Sequence, residues 1–427
     1  MLIGNTHDFD KRLEFLTALL TPSPSGKPRS LKEVCNQVGL PHKTGEEWKR
    51  RLRTEPKEFL NIVDGPPDEV IRKLLSDNAA LRKQLSDADD FERVLKIRLE
   101  DIVSPLKTNP ALYRKPDRKK RGADSLVAMV DVSDIHIGSL VDANDSLGLS
   151  EYSVDVFHSR LERWENSLLE VVEKVRSFAT VDRLIINAMG DWLDSFGVFA
   201  GQAYEQDLDP ERQVMVAVTK LGASLERVCR EFSEVTIYGV PGNHGPHGRR
   251  SQAGRKFKTD RIVYWFIIDH MLRDVPNLHR SPLADGLKPY AVFPQNETNQ
   301  QIHCIIHGDQ VRGWMSLPYY GSGRAASRVM GLLGRSDLVA LHIGHHHQLA
   351  NISGGVTDII HNGSWVGGST YSINDLFLSD IAKQQMMFID EQLGIVMQHP
   401  LLLSDPVRLV VDTAGELVPE GTRGVNG

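Results

Sequence analysis

The sequence predicts an α/β domain preceded by a helical, basic arm. From about residue 125 onward, apolar stretches of strand length alternate with amphipathic stretches of helix length. Five of the apolar stretches run straight into short polar clusters of Asp, Asn, His and Gly. The charge is also uneven: against a net of −6 for the chain, residues 1–123 carry roughly +6 and the remainder roughly −12.

At 427 residues the chain has length for roughly two to three domains. With 41% hydrophobic and 25% charged residues it has the composition of a globular protein. No apolar run approaches the roughly 20 residues of a membrane span, and the first stretch, "MLIGNTHDFDKRLEF", brings acids too early for a secretory signal. Cys35, Cys229 and Cys304 are few, odd in number and far apart, which argues against a disulfide framework. The chain reads as cytoplasmic, with no membrane partner.

Residues 1–66 contain "SLKEVCNQVGLPHKTGEEWKRRLR". Leu31, Val34, Val38 and Leu40, then Trp48 and Leu52, mark two short amphipathic helices around a turn-forming "GLPHKTG". A helix pair ending in Lys49, Arg50, Arg51 and Arg53 resembles a helix-turn-helix DNA reader, and equally a plain interaction module. Residues 67–104 carry a heptad seam, Ile71, Leu74, Asn78, Leu81, Leu85, Ala88, Leu95 and Leu99, that predicts a coiled coil and a homodimer or higher oligomer. Residues 105–124, with prolines and the cluster Arg114 to Arg121, read as a basic linker. Residues 125–405 form the α/β domain, and 406–427 a carboxy-terminal tail.

Within 125–405, "LVAMVDV", "RLIINAMG", "EVTIYGV", "QIHCIIHG", "LVALHIG" and "DIIHNGS" read as strands. The stretches 156–178, 210–232 and 261–275 read as the helices that cover them. The polar clusters follow the first five strands: Asp134 and His136, Asp191 and Asp194, Asn243 and His244, His307, and His345 with His347. Side chains alternate along a strand, so Asp134 and His136 point the same way. Imidazole, carboxylate and amide donors without thiolate suit Mn, Fe, Zn or Ni rather than a cysteine-based structural zinc. Their number exceeds one ion's shell, and two neighbouring cations need a shared anion.

This series of motifs, D-x-H, G-D-x-x-D, G-N-H, a lone His and G-H-x-H, resembles the calcineurin-like metallophosphoesterase superfamily over about residues 126–370. The resemblance implies a four-layer α/β/β/α metallophosphoesterase sandwich with the site at the strands' carboxyl ends. It implies two divalent metal ions, manganese first, with zinc, iron, nickel or magnesium as alternatives. One ion would take Asp134, His136, Asp191 and His347; the other would take Asp191, Asn243, His307 and His345, with Asp191 bridging. His244 would be catalytic, oriented by Asp194 and assisting the leaving group while a metal-bridging hydroxide attacks phosphorus. His346 would point away from the ions.

Basic and aromatic residues near the motifs indicate nucleic acid as substrate, DNA first and RNA second. Arg249, Arg250, Arg255 and Lys256 follow the catalytic histidine, and Arg312, Arg324 and Arg328 interleave with Trp314, Tyr319 and Tyr320. Within the superfamily the chain looks most like SbcD-like repair nucleases of phage and bacterial type, as an endo- or exonuclease. It departs from them in Gly245, where an acidic residue is usual, and in the short stretch after about residue 405, too short for their capping domain. Two other functions stay open at this stage: a phosphatase or phosphodiesterase acting on small nucleotides or phosphoprotein, and a DNA-binding regulator using the fold as a scaffold.

Overall fold

The computed structural model describes residues 11–12, 14–15, 18–19, 30–54, 97, 103–115, 125–195 except 147, 202–244, 259–280, 290–295, 301–311, 317–353 except 335, 355, 357–368, 373, 380–407, 409–411 and 417–419. The chain divides into two compact units, Met1–Val94 and Leu95–Gly427.

In the first unit, α1 (Leu31–Val38) opens on a capping box: Ser30 Oγ accepts from Glu33 N–H, and the Glu33 carboxylate accepts from Ser30 N–H. It closes on Gly39 in the left-handed region, φ 69°. The chain turns into α2 (His42–Thr54), whose Leu52 joins Val34, Cys35, Val38, Phe15 and Ala18 in a small core edged by Trp48. Gly45 is where the helices approach most closely, because a Cβ there would lie 2.1 Å from Cys35 Sγ. Every residue of the heptad seam read in residues 67–104 lies outside the described residues.

The second unit is a sandwich of two sheets. The first runs β11 (Gly394–Leu402), β10 (Lys383–Asp390), β1 (Ser125–Val132), β2 (Thr180–Ala188), β3 (Glu234–Gly239), β4 (Leu278–Arg280). Strands β1 to β4 are parallel, and β10 and β11 add antiparallel at one edge. The second sheet runs β5 (Tyr290–Pro294), β6 (Ile302–Ile306), β7 (Leu338–Ile343), β9 (Asp358–His361), β8 (Ala350–Ser353), with β6, β7 and β9 parallel. A short ladder of β12 (Leu409–Val411) and β13 (Leu417–Pro419) lies in the stretch read as a tail.

Strand β1 is buried on both faces, so Leu126–Val130 is a continuous apolar run rather than an alternation. Val127 and Met129 meet Ile305, Ala340 and Ile360 of the second sheet in the inter-sheet core. The first sheet's other face is covered by α3 (Val154–Arg176), which buries Phe157, Leu161, Trp164, Leu168 and Val172. The second sheet's outer face is covered by α7 (Tyr319–Leu333), packed on Cys304, Leu341 and Ile359. Helix, sheet, sheet and helix form the four layers. Between β2 and β3 run α4 (Pro210–Val216), a π-helical stretch (Ala217–Leu221) and α5 (Gly222–Arg230). Before β4 come α6 (Thr259–Tyr264) and a second π-helical stretch (Trp265–Met271).

Part of the stretch read as a linker is fixed to this unit. Leu106 N–H donates to Met271 O, Arg114 N–H to Arg230 O, and Tyr113 OH to the Glu226 carboxylate at 2.7 Å. Among the described residues no helix is long and apolar enough to cross a membrane.

Candidate metal centre

The polar clusters after β1, β2, β3, β6 and β7 come together in one place. The loops after β1 and β2 extend the ladder of their strands: Asp134 N–H donates to Gly190 O, and His136 N–H to Asp191 O. The loop after β7 docks on the first by His345 N–H donating to Asp134 Oδ2 at 2.9 Å. The loop after β3 docks on the second by His244 N–H donating to Asp191 Oδ1 at 2.7 Å. Gly190 and Gly242 allow that approach: a Cβ on Gly190 would lie 2.2 Å from Gly242 N, and one on Gly242 would lie 1.9 Å from Asp191 Oδ1.

Non-glycine residues with positive φ among the described residues are Asp134, His136, Asp191, Ser195, His345 and His347. Five of these six are residues singled out from the sequence as metal ligands. Left-handed backbone at such residues costs about 1–3 kcal/mol each and persists only where surrounding structure enforces it. Here the enforcing contacts are the inter-loop hydrogen bonds above.

The chemistry of the facing atoms fits a cation. His307 Nδ1 lies 2.8 Å from the Met189 carbonyl, which can only accept, so Nδ1 carries the hydrogen. Its Nε2 therefore turns a lone pair, or an added proton, toward Asn243 Oδ1 at 2.8 Å and Asp191 Oδ2 at 3.0 Å. His136 Nε2 faces His347 Nε2 at 3.1 Å, with Asp134 Oδ1 3.4 Å from the latter. Asp134, His136 and His347 form one group of candidate ligands with atoms mutually within 4.8 Å, and Asp191, His307 and His345 form another. A third group, His136, Asp194 and His244, shares His136 with the first. The His346 ring lies 5.2 Å from that of His345 and 5.3 Å from that of His361.

Electrostatics in the metal-free chain follow from this crowding. Burial alone would depress His307, but the Asp191 charge and hydrogen bond outweigh it and push the imidazole up to about 10. Burial likewise opposes His244, yet Asp191 and Asp194 push it up to about 9. Burial, with His307 beside it, pushes His345 down to about 3. Asp191 is itself held well below the usual carboxylate range, because the surrounding imidazoles outweigh its burial.

His244 is anchored by Asp194, chiefly through the backbone. Its Nδ1 lies 2.8 Å from the Asp194 carbonyl and 3.5 Å from the carboxylate Oδ1. The carbonyl makes Nδ1 the donor, leaving Nε2 for a reacting group. The Asp194 carboxylate is in turn held by Gln202 at 2.9 Å and Gln206 at 2.6 Å.

Sequence reading overlooked Asp260 and Tyr264, which tie the second and third loops together. Asp260 Oδ2 accepts from Asp191 N–H at 3.1 Å and Gly242 N–H at 2.8 Å, and Oδ1 accepts from Trp192 N–H at 3.0 Å. Burial, then the charge of Asp191, raises its carboxyl to about 6. Tyr264 OH accepts from Gly190 N–H and donates to Val240 O. One acid at a helix start, "KTDRIVY", reads as an ordinary first-turn carboxylate, so no spacing signal betrayed it.

Of the candidate nucleic-acid contacts, Arg249, Arg250, Arg255, Lys256 and Arg312 lie outside the described residues. Arg324 and Arg328 lie on α7. They are exposed, and with exposed Tyr320 they fall at i, i+4 and i+8 on one face.

No family model matches the chain, and no curated protein does. Solved structures do align with it. Vps29 from Entamoeba histolytica, complexed with zinc, has 11% identity over 65% of this chain and 99% of that one, at a TM-score of 0.27. Vps29 from Cryptosporidium parvum has 12% identity over 65% and 98%, at 0.29. An archaeal phosphodiesterase has 9% identity over 64% and 99%, at 0.28. Nothing about activity follows from likeness at this level.

Proposed function

We propose that the chain is a two-metal phosphodiesterase acting on nucleic acid, with DNA as first substrate and manganese as first metal. The observation that carries this is the convergence of electron-pair donors from both sheets on one place, beside a histidine whose free nitrogen is not needed for metal. Asp134, His136 and His347 would hold one divalent cation, and Asn243, His307 and His345 the other, with Asp191 between them. When bound, such cations supply Lewis acidity and a water of lowered pKa.

The chain's own residues do the rest. Without metal, Asp191 and Asp194 raise His244 to about 9; in its protonated form its Nε2 hydrogen is available to the departing oxygen. Asp194, clamped by Gln202 and Gln206, keeps that ring turned toward the reaction.

Nucleic acid is favoured over a small phosphoester by the exposed stripe Tyr320, Arg324, Arg328, which offers stacking and phosphate contacts on one helix face. Tyr204, 91% exposed, stands between the two glutamines that hold Asp194. The run 249–258 adds basic residues directly after the catalytic histidine in sequence. The reading extends to an SbcD-like nuclease working in the cytoplasm, with DNA contacts from α2 and self-association through residues 67–104.

The test is hydrolysis of single- and double-stranded DNA, RNA and a chromogenic monoester with Mn, Mg or Zn, His244→Ala alongside. Metal-dependent cleavage of DNA that His244→Ala abolishes is expected. A monoester turned over far faster than any polynucleotide would reject nucleic acid as the substrate.

A further inference from the structure

A row of buried polar groups runs through the otherwise largely apolar space between the sheets. There Asn187 Nδ2–H donates to Asp131 Oδ1 at 2.7 Å, His342 Nδ1 meets Asp131 Oδ2 at 2.9 Å, and His303 Nδ1 meets His342 Nε2 at 3.0 Å. All four side chains are 0% exposed. None belongs to the ligand set.

Their placement is regular. Asn187 is on β2, Asp131 on β1, His342 on β7 and His303 on β6, the strands that lead to Asp191, Asp134, His345 and His307. Each stands three or four residues before its strand's candidate ligand. Asp131 and Asn187 are register partners within the first sheet. The Asp131–His342 bond crosses from one sheet to the other.

The row settles its own hydrogens. If His342 Nδ1–H donates to Asp131, its Nε2 accepts from His303 Nδ1–H, and the row ends on His303 Nε2, which has no hydrogen-bond partner. The opposite order would end on a buried, unpartnered N–H, the rarer and more costly orphan. Beyond it the His303 ring stacks on Phe293 at 5.5 Å, and Phe293 on Tyr238 at 4.1 Å.

An apolar contact between sheets is non-directional and tolerates sliding. A hydrogen bond near 3 Å does not, and weakens steeply with misalignment. The metal centre cannot tolerate sliding either, since Asp134, His136, Asp191 and Asn243 come from the first sheet and His307, His345 and His347 from the second.

We infer that Asn187, Asp131, His342 and His303 are positioning residues that fix the two sheets against each other so that the ligands carried by β1, β2, β6 and β7 converge. The inference rests on the two-metal reading above. Buried polar groups can specify geometry without adding stability.

The experiment is Mn2+ titration of the full chain by calorimetry, paired with thermal melting in chelator. The variants are Asp131→Leu with His342→Leu, and His342→Asn, which keeps a donor near the Nδ1 position. The double variant should melt in chelator at or above the wild-type temperature yet bind Mn2+ ten- to hundredfold more weakly. His342→Asn should recover part of that affinity. A purely structural role predicts the reverse: a lower melting temperature with unchanged affinity. If the double variant does not fold, His303→Leu decides, with a weakening of about threefold expected and wild-type affinity overturning the inference. Wild-type chain that binds no Mn2+ or Zn2+ would overturn the metal reading itself, whereas two ions bound alike by wild type and variants would overturn only the positioning role.

Discussion

His307 and His244 are the side chains most sensitive to pH. His307 sits near 10 without metal, so at pH 7.5 its Nε2 is protonated, and a cation must displace that proton. Metal affinity should therefore rise with pH, by up to tenfold per unit, and flatten toward pH 10. Calorimetry in buffers of different ionisation enthalpy should count about one proton released at this site. His244 is expected to act as an acid, so activity should fall as pH rises through its pKa, which is about 9 without metal and lower once cations offset the Asp191 charge. His244→Asn should lose about 10²–10⁴-fold in kcat with metal affinity kept, and no longer show that alkaline fall. Candidate ligands were legible one by one because Asp, Asn and His after an apolar run are chemically conspicuous. Asp260 was not, because its role is to accept three backbone N–H groups, and any carboxylate in a helix's first turn looks the same in sequence.

The strands that carry the clusters announced themselves by continuous burial, as β1 does. Strand β10 did not, because its start, "KQQ", puts buried Gln384 and Gln385 where apolar residues would signal a strand. The Gln384 amide serves the loop after β1: its Oε1 accepts from Ser133 N–H at 2.9 Å, next to Asp134. Helix α7 was hidden by Gly321, Gly323 and Gly331, which depress helix propensity and imitate a loop. Its helical form makes a sharper prediction than a loop would. Arg324→Ala and Arg328→Ala should each reduce the salt dependence of DNA binding by about one unit of slope and raise KM for DNA, leaving hydrolysis of a small chromogenic ester unchanged. In the loops, Gly242→Ala would drive a methyl into Asp191 Oδ1. It should lower stability by about 2–3 kcal/mol in chemical denaturation and abolish metal binding.

The division between Val94 and Leu95 sets where the molecule can be cut. A truncation at residue 123, natural from composition, would remove Tyr113 and Leu106, whose hydrogen bonds hold residues 103–115 to α5 and the second π-helical stretch. Removing residues 1–94 instead should leave ester hydrolysis intact while weakening DNA binding and reducing the oligomer to a monomer by light scattering. Unchanged DNA affinity and mass would refute both roles assigned to the arm. The candidate ligands come from opposite halves of the sandwich. Any ion that seats there becomes a rivet through the domain, so heat resistance should depend on the ions in the medium as well as on the core. A dye-based melting series over rising Mn2+ should show a climbing midpoint, by about 2.7 kcal/mol of added stability per site at a hundredfold excess over Kd. Chelator should return it to the baseline.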